Sequence, residues 1–418
     1  MKGNLILVCA GILSGSLFAD STVTVTAVRQ NWPWSPTVDI SYTLEGDSCD
    51  VDFEASFDGQ EAFPLAEKDL SGDFFGVKAG ARHVTWDPVS AGYGGRTLPN
   101  FTVTAKPSTV DRTYLIIDWQ DGTLEYAATE PEGGWISLGS AYHRYKMVFR
   151  RIPAGTSTVG FTDDILAKFS DEASFFDASR KKLVGAHQVT LTDDFYLSVY
   201  TTTSANQYYM VGNGNAGSRD YVTAAYRTLR GTVDGDGIDW PSAPTDIYEV
   251  APESTIGIIR GKLAGKLPKD WTIDLPTLAQ FEYASKATTP DGQIWSVGGT
   301  VANTKEELCA FAAQVAVGSF PGHAVVGGTA YVGQLKANGW GLYDTCGLVA
   351  QWTLNHYSGS VPAPATDPLG GTSGNRTRIG YGSTGTELSR YLPTLRGQNG
   401  DDSKNSYRLC IHTRRIRP

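Results

Sequence analysis

The sequence predicts a loop-rich, mostly β or α+β protein, in which a small all-β domain precedes a larger domain poor in regular secondary structure. Three observations predict it. Glycine is 47 of 418 residues, aromatic residues are 11% and charged residues only 19%, a balance that suits irregular backbone around aromatic cores better than a helical bundle. The first hundred residues hold several short segments of period-two polarity punctuated by Gly, Asp and Pro, the pattern of half-buried strands. Finally, residues 338–357 hold three glycines, two tryptophans and two tyrosines. Glycine costs about 1 kcal/mol at each helical position, so this stretch reads as irregular backbone fixed by large rings.

The chain is long enough for two or three domains. Residues 1–19 read as a secretory signal: Lys2 is a basic start, Leu5 to Leu13 an apolar run, and Leu17-Phe18-Ala19 a cleavage site. The run is too short to span a bilayer, and no later segment is apolar for long enough. The expected location is therefore secreted, periplasmic or at the cell surface. A net charge of −9 argues against a nucleic-acid surface, which needs clustered cations. The basic tail Arg414, Arg415 and Arg417 reads as solvated. Beyond the signal stand Cys49, Cys309, Cys346 and Cys410, and their spacing leaves all three disulfide pairings open.

Residues 20–110 predict a β-sandwich of immunoglobulin-like type. Its strands are expected at Ser21–Val28, Thr37–Leu44, Cys49–Phe57, His83–Trp86 and Phe101–Ala105. A linker at Lys106–Thr109 leads to a strand from Tyr114 to Trp119. His187–Ser198 alternates as one strand and runs into a helix with Thr203 as its N-cap. Asp234, Asp236 and Asp239 alternate with glycine; they form either a weak calcium candidate or a polar turn, since the EF-hand spacing and its distant glutamate are missing. Thr277 and Gln280 make a capping box, followed by a short helix with one apolar side carrying Leu278, Phe281 and Ser285. Thr304 and Glu307 predict a second capping box.

Six blocks in order also resemble one family. Phe149-Arg-Arg-Ile-Pro-Ala-Gly155 resembles F-x-x-I-P-A-G, and Leu275-Pro-Thr-Leu-Ala-Gln-Phe-Glu-Tyr-Ala284 resembles L-P-T-E-A-E-W-E-Y-A. Asn338, Gly341, Leu342, Tyr343, Asp344, Gly347, Trp352 and Thr353 fall on N-x-x-G-L-Y-D-M-x-G-N-V-W-E-W-T. Asp367-Pro-Leu-Gly370 stands for D-P-x-G, Arg378-Ile-Gly-Tyr-Gly-Ser383 for R-G-G-S, and Asn405-Ser-Tyr-Arg-Leu-Cys410 for N-x-G-F-R, the closing strand. The resemblance is to the formylglycine-generating enzymes, or sulfatase-modifying factors. It covers residues 112–418 and implies an α+β, C-type-lectin-like fold.

That family implies an oxidase that converts a client sulfatase cysteine to formylglycine, with copper(I) held by two cysteines. Here the aligned positions are Leu388 and Pro393, which cannot replace soft thiolates, so copper is not expected. Cys346 and Cys410 are the candidate thiols for a rearranged site. The implied calcium site is altered too: the family's Asn and Glu are Leu348 and Gln351. No two of the six histidines lie within five residues of each other, so no local metal motif exists. The expectation is a non-catalytic binding module, a pseudoenzyme whose ligand surface takes in Trp340, Tyr357, Tyr381, Tyr391 and Arg396. Aromatic faces and a guanidinium suit a protein, peptide or glycan ligand. The alternatives are a formylglycine-generating-type oxidase with a relocated site and a structural cell-surface component.

Overall fold

The computed structural model describes residues 21–135, 141–160, 185–212, 250–287, 336–348, 350–356, 364–368 and 405–413, with short pieces at 163, 167, 233–234, 237–238, 296–297, 300–301, 316–317, 332–333, 376–379 and 396–397. The predicted signal segment and the predicted capping box at Thr304 lie outside the described residues. The chain divides into two compact units, Met1–Ala66 with Gly72–Ser108, and Glu67–Ser71 with Thr109–Pro418.

In the first unit, strands Thr22–Gln30, Val38–Glu45 and Gly80–Trp86 run antiparallel in that order. A second antiparallel sheet orders Phe63–Pro64, Val51–Ser56 and Thr102–Pro107. Period-two polarity does its work here: Val38, Ile40, Tyr42 and Leu44 are buried from one sheet, and Val51, Phe53 and Ala55 from the other. Tyr42 meets Phe53 edge-on at 5.5 Å between ring centroids, so the sheets share a core. Trp86 stacks on Phe101 at 5.4 Å. Thr22–Gln30 differs from expectation. None of its residues is buried, because it is the edge strand of its sheet.

The second unit is mixed, with many antiparallel strands and few helices. Its central sheet orders Thr272–Asp274, Cys410–His412, Phe195–Ser198, Lys146–Ile152, Tyr114–Asp118 and Leu124–Ala127, each antiparallel to its neighbour. Long apolar runs such as Leu115, Ile116 and Ile117, and Phe195, Tyr196 and Leu197, are buried on both faces. A second sheet orders Arg396–Gly397, Arg376–Ile379, Ala350–His356 and Asn405–Tyr407. A third joins Gly155–Val159, His187–Leu191 and Ala365–Thr366.

Two predicted strands are each split. His187–Ser198 is two strands in different sheets. At the break, Thr192 donates its N–H and hydroxyl to the Asp367 carboxylate at 3.0 and 2.6 Å. Asp194 accepts from Arg151 Nε and the Ala154 N–H, both at 2.8 Å. The closing strand is Asn405–Tyr407 and Cys410–His412, again in different sheets. Arg408 and Leu409, between them, are fully buried.

Helices α1 (Ser204–Val211), α2 (Thr255–Lys262) and α3 (Leu278–Lys286) start on side-chain caps. Thr203 caps α1 and forms a capping box with Asn206; Thr277 and Gln280 form the expected box on α3. The α3 helix has no solvent side, however. Every residue from Ala279 to Lys286 is buried, and Lys286 donates to Thr158 O at 2.8 Å, which satisfies a cation that burial would otherwise penalise. Among the described residues no helix is long and apolar enough to cross a membrane.

Candidate functional site

The glycine- and aromatic-rich stretch is anchored by Asn338. Its amide donates to Ala284 O at 2.8 Å and Ser285 O at 3.2 Å, two carbonyls that α3 leaves unpaired at its end. Its side-chain oxygen accepts from the N–H groups of Trp340 at 3.0 Å and Leu342 at 3.1 Å. One amide therefore ties the loop to the helix and sets the turn. Gly341 completes that turn with φ of 76°, and a Cβ there would come within 3.1 Å of Tyr114 Oη. Trp340 is half-buried, its ring 5.3 Å from Tyr283 at the margin of the core. Its carbonyl accepts from Arg150 Nε at 3.1 Å.

Behind this loop lies a buried polar hub. Arg408 has no exposed surface. Its guanidinium donates from Nε to Gln351 Oε1 at 3.1 Å, and from Nη1 to Ser198 O at 2.7 Å and Val199 O at 2.8 Å. From Nη2 it donates to Thr201 Oγ1 at 3.3 Å and Tyr343 O at 2.6 Å. All five donors of the planar fork are used. Gln351 returns a bond from Nε2 to Asp344 O at 2.9 Å. The Asp344 carboxyl, itself buried, accepts the Gly333 N–H at 2.6 Å. Burial pushes its pKa up to about 6, against the opposing pull of that N–H and of Arg408.

A second buried chain runs beside it. His412 Nε2 faces Leu275 O at 3.0 Å, and a carbonyl only accepts, so Nε2 carries the proton. His412 Nδ1 then accepts from Gln280 Nε2 at 3.3 Å. Gln280 Oε1 accepts the Thr277 N–H at 2.9 Å and the Cys410 thiol at 3.9 Å. Asp274, fully buried, pairs with Arg260 at 2.7 Å. Burial first, and Asp274 second, hold the Cys410 pKa well above the ordinary thiol range. Cys410 is thus a protonated, enclosed thiol, the state least suited to nucleophilic or metal chemistry.

Of the residues singled out in the sequence, Tyr357, Tyr381, Leu388, Tyr391 and Pro393 lie outside the described residues, as do Asp236 and Asp239. Arg396 pairs with Ile379 through its backbone, and Asp234 with Gly237; their side chains are outside the described residues. Cys346 lies in a two-residue strand parallel to Ala316–Val317, and its side chain is likewise outside. Cys49 and Cys410 are both unbridged. Among the described residues no group of three or more His, Cys, Asp or Glu could hold a metal ion. Arg408 and Asp344 were legible as motif letters but not as partners of Gln351. The available signal was a charged residue flanked on both sides by strand-forming apolar residues.

These features define a mixed α/β domain in which the glycine- and aromatic-rich stretch is pinned from within by buried polar side chains. Residues 143–408 match the family model described as the sulfatase-modifying factor enzyme 1-like domain. This match spans well over half of the chain, and the chain belongs to that family. No curated protein matches it. A solved structure titled "Crystal Structure of CarF" aligns at 14% identity over 64% of this chain and 97% of its own, with a TM-score of 0.30, a likeness that carries no argument.

The groups implied by the family resemblance do not fit the residues present. Leu348, at the position of the calcium-site Asn, is buried in an apolar cluster with Val199, Val332 and Trp135. Its side chain offers no oxygen ligand, although its φ of 57° is the left-handed conformation that Asn adopts more readily than Leu. Gln351, at the position of the Glu, spends its carbonyl on Arg408 and its amide on Asp344.

Proposed function

We propose that this sulfatase-modifying-factor-like protein is an exported, non-catalytic binding module. In this reading residues 1–19 are a signal peptide and residues 20–110 an immunoglobulin-like sandwich. Residues 112–418 form a C-type-lectin-like domain. The observation that carries the proposal is the state of the thiols. The positions aligned to the copper cysteines are Leu388 and Pro393. Cys410 is fully buried and hydrogen-bonded to Gln280. Soft-metal chemistry at this site has no exposed thiolate among the described residues to start from.

The ligand surface proposed is Trp340 with Tyr357, Tyr381, Tyr391 and Arg396, for a protein, peptide or glycan at the cell surface. Its support is the half-exposed Trp340, which leaves part of an indole at the margin of the core. The test is turnover of a peptide containing Cys-x-Pro-x-Arg with copper(I), oxygen and a reductant, followed by mass spectrometry. The expected result is an unmodified cysteine beside an active family member as control. Conversion to the aldehyde would sink the proposal and direct attention to Cys346 and Cys410.

A further inference from the structure

Trp32 and Trp34 are 68% and 90% exposed. They stand in the connection between the paired strands Thr22–Gln30 and Val38–Glu45. Tryptophan is on average a well-buried residue, and among the described residues the other tryptophans follow that rule. Trp86, Trp119, Trp135, Trp271 and Trp352 are buried, and Trp340 is half-buried.

The connection that presents the two indoles is tied to itself. Asn31 N donates to Thr37 O at 3.0 Å, and Asn31 O accepts from the N–H groups of Trp34 at 3.0 Å and Ser35 at 3.1 Å. Asn31 Nδ2 donates to Thr37 Oγ1 at 3.2 Å, and the hydroxyls of Ser35 and Thr37 are 2.8 Å apart. Thr37 N donates to Ser35 Oγ at 3.3 Å. The small polar side chains are consumed in holding the turn, and the indoles are left outside. A turn ordered before binding loses little entropy when a ligand arrives.

Size and charge select the ligand. An indole carries roughly 150–250 Å² of surface, so the pair presents roughly 300 Å². That is the scale of a functional patch on a monomer. It is well short of the roughly 800 Å² per partner of a stable protein interface. No charged residue occurs from Gln30 to Thr37, and the chain carries a net charge of −9. An anionic membrane, which is held by clustered Lys and Arg, does not fit. A neutral, flat and partly apolar ligand does. The pyranose rings of a β-linked neutral polysaccharide carry equatorial hydroxyls and turn axial C–H bonds toward their faces. Those polarised hydrogens complement the electron-rich face of an indole.

We propose that Trp32 and Trp34 form a stacking platform for a neutral β-linked polysaccharide. The proposal is independent of the reading of the C-terminal domain. The test compares the full chain with its Trp32→Ala/Trp34→Ala double variant. Both side chains are solvent-facing, so the two proteins should share one thermal unfolding curve. Binding is measured by depletion onto microcrystalline cellulose and chitin, and by affinity electrophoresis in soluble mixed-linkage β-glucan and in xylan. The expected result is retention on at least one of these, weakened at least ten-fold in the double variant. Absence of retention on all four, or retention unchanged by the double substitution, would overturn it. So would absence of retention accompanied by co-sedimentation with phosphatidylcholine vesicles, or by a dimer in sedimentation velocity, that the double variant loses.

Discussion

Arg408 Nη2 donates to the main-chain carbonyl of Tyr343 at 2.6 Å, across 65 residues of sequence. This bond joins the last motif block to the central one. With the bonds to Ser198 O and Val199 O it makes a single guanidinium the anchor of three segments. A planar fork with five donors can do this, and a point charge cannot.

Arg408→Lys should therefore destabilise the protein nearly as much as Arg408→Met. Each leaves buried carbonyls unpaired, and breaking a buried charged network costs about 3–5 kcal/mol. Urea unfolding measures it. Lys106→Ala, which removes an exposed pair with Glu54, should leave the midpoint in place. If Arg408→Lys also leaves it in place, the hub is not an anchor.

Asp344 gives a pH signature. Its pKa is raised to about 6 from 3.8, so the folded state binds this proton more tightly than the unfolded state. Its contribution to stability is complete below the unfolded value and is lost as pH rises through about 6. At 1.36 kcal/mol per unit, roughly 3 kcal/mol separates the two ends of that window. The difference in unfolding free energy between the native chain and Asp344→Asn, measured from pH 4 to 7, should shift in favour of the variant up to about pH 6 and level off above it. A flat difference would contradict the assignment.

Leu348→Asn weighs two opposed effects. The left-handed backbone is several-fold richer in Asn than in Leu, worth about 1 kcal/mol, while replacing a buried leucine by an amide in the apolar cluster costs about 2–5 kcal/mol. The net expectation is a clear loss of stability. Millimolar calcium should leave the melting temperature of this variant unchanged, since Gln351 stays committed to Arg408. A calcium-dependent rise would show that the site needs only one oxygen to return.

Thr277→Ala removes a helix cap and should cost about 1 kcal/mol, with Thr277→Ser recovering most of it. Equal effects of the two substitutions would show that the hydroxyl bond to Gln280 N is not what matters.

Cys410 should resist alkylation by iodoacetamide at pH 8 in the native protein and react fully in guanidinium, because its thiol is enclosed and held protonated. Rapid native labelling, located by peptide mapping, would place a reactive thiol where the structure shows none.

Much of the scaffold was legible because its signals are local. The capping box of Thr277 and Gln280 and the cap at Thr203 satisfy N–H groups three residues away. The strands from Val38, Val51 and Tyr114 follow from alternation or from unbroken apolar runs. The splits at Thr192 and at Arg408 were not legible. Each depends on a partner far along the chain, Asp367 in one case and Tyr343 in the other. The exposed pair Trp32 and Trp34 was hidden for the opposite reason: a tryptophan in a turn reads the same whether it folds inward or out.

The sequence alone determined the family blocks and their order, a leucine and a proline at positions 388 and 393, and the caps at Thr203 and Thr277. These are matters of residue identity or of bonds closed within a few residues. Tertiary structure decided that α3 is buried all round, that Leu348 belongs to an apolar cluster and that Arg408 is the buried hub. It also decided that Trp32 and Trp34 face solvent. Burial and hydrogen-bond partnership are set by which segments meet, and segments distant in sequence meet only when the whole domain is packed.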